Sequence, residues 1–296
     1  MTAIGEAAID ATSMRYRHAS RTRGRRPEWL RDAADLNPIH LQEAGNRAKI
    51  VVFEAPILGE AAAELYRNKS LYDSFPDESA TCIDVLAETL GHISQRNTAS
   101  EWCDTDLLRR VERFGNVFRK QAVDSVGLGE ISDAMSGNGT ATLPVVTIDS
   151  DTVAAAESLH RQAPAPRPVR IAGKLDMLRD SDRAFDLLLA DGTRVRGVWD
   201  EDLGPIINLL GKQVVADALA VFRASGLLLR IEAGAMEEAS GDDAYFSKVP
   251  IPSKTAFNHR AARQPQAANS GLAAVYGRWP GDETEEQLLA ALRDLD

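Results

Sequence analysis

The sequence predicts an α+β protein: a helix-rich N-terminal domain, then a small β-barrel, then a short C-terminal helix on a tether. Three observations carry that prediction. Val169-Arg-Ile-Ala-Gly-Lys-Leu-Asp-Met177 alternates apolar and polar residues, as a half-buried strand does. Phe185-Asp-Leu-Leu-Leu189 and Val195-Arg-Gly-Val-Trp199 flank Asp191-Gly192, a strong hairpin-turn signal. A short helical pattern over 202–210 stops at Gly211, and two further strand patterns, 214–222 and 227–231, meet at Ser225-Gly226. Three strands, a helix and two strands form the layout of an OB-like β-barrel over 167–240. Strand alternation assigns Ile171, Leu175, Phe185, Leu187, Leu189, Val195 and Trp199 to its core. Arg170, Lys174, Arg194 and Arg196 then point outward.

The regions before the barrel follow in order. Residues 1–46 read as a flexible, arginine-rich leader: Arg15, Arg17, Arg21, Arg23, Arg25, Arg26 and Arg31 crowd together, with Tyr16 and Trp29 between them. Such a run is ordinarily solvated, and it can also hold phosphates by releasing counterions. A mixed, helix-rich domain spans 47–162. It starts with a strand at Lys49-Ile-Val-Val-Phe53 and a helix over 57–67. Ile83, Leu86, Leu90 and Ile93 set a helix over 79–95, and Leu107, Leu108, Val111, Phe114 and Phe118 line one over 104–120. Pro144 limits the β-branched run 140–148 to an edge strand. Asp149 or Asp151 caps a helix to about 161, and Ala163-Pro-Ala-Pro-Arg-Pro168 ends the domain with stiff, extended chain.

After the barrel, 241–277 is rich in Pro, Ala, Ser, Gln and Asn and reads as a linker. Residues 278–296 form an amphipathic acidic helix. Asp282 and Glu285 make a capping box behind Trp279-Pro-Gly281. Leu288, Leu289, Leu292 and Leu295 build an apolar stripe on that helix, and Glu285 and Glu286 stand among its acids.

Composition narrows the function. With 296 residues, two domains can each bury a core. A net charge of −10 argues against coating nucleic acid with the whole surface, although a local basic patch is compatible with it. Two cysteines without paired spacing, Cys82 and Cys103, exclude a disulfide framework and fit a reducing cytoplasm. No uncharged apolar run reaches the roughly 18 residues that span a bilayer, so no membrane role is expected. Glu6 and Asp10 without an apolar stretch do not make a secretory signal.

Motifs of catalysis are missing: no phosphate loop, no dinucleotide glycine fingerprint, no nucleophile elbow. His18, His40, His92, His160 and His259 are scattered singly, without metal-ligand spacing. The acids of Asp200-Glu201-Asp202 and Asp242-Asp243 sit where loops and helix starts favour them. The chain therefore reads as a non-enzyme with no cofactor and no metal.

The segment from Gly277 to Leu295 resembles tails carried by small antitoxins encoded beside PIN-domain ribonuclease toxins, a resemblance confined to about twenty residues. The barrel with its flanks resembles an uncharacterised bacterial family, which brings no activity with it. The tail resemblance implies a protein partner such as a toxin nuclease. An acidic helix would lay Trp279, Leu288, Leu289, Leu292 and Leu295 in an apolar groove while Glu285 and Glu286 meet a basic surface. The expected function is thus a non-catalytic, antitoxin-like protein-interaction component. The alternative is a nucleic-acid-binding accessory protein using Arg21, Arg23, Arg25 and Arg26 with barrel residues Arg170, Lys174, Arg194 and Arg196. Against it, stacking platforms are scarce, since alternation buries Phe185 and Trp199.

Overall fold

Residue 2 begins a helix, not a loose leader. The computed structural model describes residues 2–21, 26–44, 48–67, 75–121, 123–129, 146–180, 182–199 and 204–253. Helix α1 (Thr2–Arg17) lies against the helices that follow it, and Ala7, Ala8, Ala11 and Met14 are fully buried. The expected flexible leader is therefore corrected over 2–21. Small alanines let neighbouring helices approach closely, and the polar residues between them, Asp10, Thr12, Ser13 and Arg17, are buried as well. A helix buried on nearly every side has no apolar stripe to read.

Helix α2 (Glu28–Asp32) leads to an antiparallel hairpin of β1 (Asn37–Ala44) and β2 (Ala48–Glu54). Two short helices follow, α3 (Leu58–Ala61) and α4 (Ala63–Arg67), where one helix was expected. Thr81 and Asp84 cap α5 (Cys82–Ser94) with a capping box. Asp104 caps α6 (Thr105–Glu112). The expected single helix over 104–120 breaks after Glu112: the Arg113 N–H is shared between the carbonyls of Arg109 and Arg110, tightening the turn. Helix α7 (Phe114–Gln121) then sets off with Gly115 close against Val153 of α8 (Ser150–Gln162). Between them, β3 (Val126–Leu128) pairs β4 (Val146–Ile148), the described end of the expected edge strand.

Five strands close the barrel: β5 (Arg167–Arg179), β6 (Ala184–Leu188), β7 (Arg194–Trp199), β8 (Gln213–Phe222) and β9 (Leu228–Glu238), in the order β5-β6-β7-β9-β8. All pairs are antiparallel except β7–β9. Helix α9 (Gly204–Ile207) lies between β7 and β8 and ends three residues before the predicted Leu210. The seven predicted core residues are all buried together. Gly192, at a φ of +83°, makes the β6–β7 turn, a conformation glycine adopts without steric cost. β9 runs seven residues past the expected Ile231, because β8 pairs with it as far as Glu238. Its outer half is small residues and glutamates, largely exposed, so it carries no β-branched or aromatic strand pattern.

The architecture is α+β, N-terminal helices followed by a five-stranded mixed barrel. Residues 1–252 form one compact unit. Val221 and Leu229 of the barrel lie in the core built by the helices, so the two halves share apolar packing. The expected linker also begins later than 241. Residues Gly241–Phe246 form a 3₁₀ turn beside β5, with Ser240 and Asp243 in a capping box.

Candidate binding surface

The junction between helices and barrel holds a buried network of charged side chains. Arg230, in mid-β9, is 4% exposed and donates to the Asp104 carboxylate at 3.0 Å, to Glu232 at 2.6 Å and to the His18 carbonyl at 2.8 Å. Asp104 is also gripped by the Ser20 hydroxyl at 2.6 Å and by the Leu107 N–H at 3.0 Å. Burial opposes ionisation of Asp104, but Arg230 and these donors outweigh it and hold the carboxyl below its ordinary range. One side chain thus starts α6, anchors the end of the α1 segment and fixes the barrel.

His18 sits beside it with a φ of +54°, and its Nε2 accepts from the Arg196 guanidinium of β7. Burial, then Arg196, Arg230, Arg15 and Arg223, push the imidazole down to about 3, so it is neutral. Further bonds close the seam. Arg17 Nε donates to the Asp182 carbonyl at 2.7 Å, in the loop between β5 and β6. The turn between β8 and β9 meets the loop after α5: Ser225 N–H donates to the Thr98 carbonyl at 2.9 Å, and Arg223 to Ala99 and Glu101. A cleft of about 340 Å³ remains at this junction, lined by Arg21, Asp106, Leu219 and Glu232 among others.

The structure places the predicted barrel cations on the outside, each beside an acid. Arg194 lies 3.0 Å from Asp176 and 3.3 Å from Asp186. Arg196 lies 3.5 Å from Asp186, and Lys174 lies 3.7 Å from Asp176. Arg170 reaches Glu237 and Asp243 and stands over the Phe246 ring. In the N-terminal run, Arg26 binds Glu6 and Asp10 of α1, and exposed Arg21 lies 3.7 Å from Asp106. Arg23 and Arg25 lie outside the described residues. So do Trp279, Glu285, Glu286, Leu288, Leu289, Leu292 and Leu295.

Asp104 and Arg230 were not among the residues singled out by sequence. A signal existed: arginine inside the run Leu227-Leu-Leu-Arg-Ile231 requires a buried partner, because an unpaired buried charge is too costly to retain. Among the described residues, no three His, Cys, Asp or Glu side chains gather as metal ligands, and no helix is long and apolar enough to cross a membrane. Against models of known protein families, curated proteins and solved structures, the chain shows no significant match.

Proposed function

We propose that the chain is a non-catalytic protein-interaction component built on an OB-type barrel. Counting barrel strands from β5, the order is 1-2-3-5-4, with a helix between the third and fourth. An OB barrel takes oligonucleotides on its second and third strands and on the loops joining strands one to two and four to five. The observation that carries our reading is what covers those elements here. Arg17 bonds the first loop, His18 bonds the third strand, and residues 98–101 bond the fourth-to-fifth loop. Polypeptide from the same chain thus bonds both loops and one residue of the third strand, and Lys174, Arg194 and Arg196 lie beside Asp176 and Asp186. Both facts favour protein over phosphate as the partner.

The antitoxin-like version assigns docking to the segment from Trp279 to Leu295, whose leucines and carboxylates suit a basic partner with an apolar groove, such as a nuclease. The test is purification of the tagged full chain from its host, with and without nuclease, beside a chain ending at Gly271. One stoichiometric protein that survives nuclease and is lost with the tail is the expected result. Recovery of nucleic acid alone, or a partner retained without the tail, contradicts it.

A further inference from the structure

The two edges of the β1–β2 hairpin differ. Among the described residues neither strand pairs with a third. β1 carries Pro38, which has no N–H to offer, and a register shift between Pro38 and His40. Proline and bulges are the devices by which proteins protect an edge. β2 reads Ala-Lys-Ile-Val-Val-Phe-Glu, with no proline, glycine or bulge and a β-branched centre, so its outer edge, unpaired among the described residues, is an open template. A two-stranded sheet is marginal in water by itself. This one leaves Leu41 62% and Val51 39% exposed, directly opposite one another.

We propose that β2 pairs antiparallel with β2 of a second copy, joining the hairpins into one four-stranded sheet about a twofold axis at Val51. A twofold axis normal to the sheet keeps each residue on its own face, and pairing the whole strand centres it on Val51. Val51 then meets Val51 of the second copy, Ile50 meets Val52, and Lys49 meets Phe53. The row Leu41–Val51–Val51–Leu41 runs unbroken across four strands, each apolar side chain covered by the next. Charge selects the direction. In-register parallel pairing sets Lys49 beside Lys49 and Glu54 beside Glu54, whereas antiparallel pairing sets Lys49 beside Phe53 and Glu54 beside Ala48 and so separates the like charges. The inference is independent of the barrel's reading, because it uses no residue of the barrel.

Cysteine crosslinking of the full chain tests it. In Val51→Cys the two sulfurs sit on directly opposed strand positions, within the Cα range a disulfide accepts. The native thiols do not compete: Cys82 and Cys103 are buried, and burial pushes them up to about 12 and about 11. Oxidised Val51→Cys is expected to run as a covalent dimer, and Ile39→Cys, on the protected edge, as a monomer. Sedimentation of the unmodified chain is expected to show a mass that doubles with concentration. Val51→Lys sets two lysines face to face and is expected to weaken that dimer roughly tenfold. Val51 is exposed, so circular-dichroism melting confirms that each variant remains folded. A chain monomeric at every concentration, a dimer undiminished in Val51→Lys, or equal crosslinking through Ile39→Cys overturns the proposal. A monomer would leave the edge to a strand from another protein.

Discussion

Arg230 and Asp104 show how much one buried pair can hold in place. Desolvating two charges is repaid only where geometry and extra hydrogen bonds are good, and breaking such a pair strands the remaining charge. Arg230→Met leaves the carboxylate of Asp104, 1% exposed, without its cation. We expect a loss of about 3–5 kcal/mol in denaturant unfolding. Two acid-side effects add to this. The folded carboxyl of Asp104 lies below its unfolded value, so its stabilisation is complete above the ordinary carboxylate range and is lost as pH falls through the folded value. His18 stays neutral down to about 3 when folded but takes a proton near 6.5 when unfolded. Between those values the unfolded chain holds the extra proton, so stability falls as pH falls. His18→Asn, which tolerates the positive φ, should flatten thermal stability between those values. An unchanged slope means that another group carries the pH dependence.

Among the elements, α5 and the barrel strands were the easiest to read, because α5 buries one clear face and Gly192 and Gly226 mark the barrel turns. The Thr81 cap of α5 was not foreseen, yet its hydroxyl accepts from the Asp84 N–H while the Asp84 carboxylate takes the Thr81 N–H. Thr81→Ala should cost about 1 kcal/mol in thermal unfolding. Within the barrel, a side chain at Gly197 would overlap the Phe185 ring, itself fully buried. Gly197→Ala should therefore destabilise by roughly 1–3 kcal/mol, read the same way. What stayed hidden has physical reasons. α1 is buried on several sides by alanines and paired polar groups, so its arginines mimic a solvated leader. β1 is interrupted by a proline and a bulge, and the second half of β9 lacks apolar alternation. The site was least legible of all. Barrel cations were placed on the right face, but their acids, Asp176 and Asp186, and the covering residues 17–20 come from tertiary pairing that spacing alone does not encode.

At the scale of the molecule, helices and barrel lie in one compact unit that shares packing and ion pairs. The full chain carries a net charge of −10, and Lys174, Arg194 and Arg196 of the barrel lie beside acids. Oligonucleotide binding depends on phosphates displacing counterions at free cations, and it weakens steeply with salt. Loops bonded to their own polypeptide, and arginines already beside acids, offer few of them. The most direct test is titration of the full chain into a labelled single-stranded oligonucleotide at low salt, followed by anisotropy. No saturable binding is expected, and no change when Arg194 and Arg196 are both replaced by glutamine. Saturable, salt-sensitive binding that disappears in that double variant would contradict that expectation and make the barrel a nucleic-acid platform.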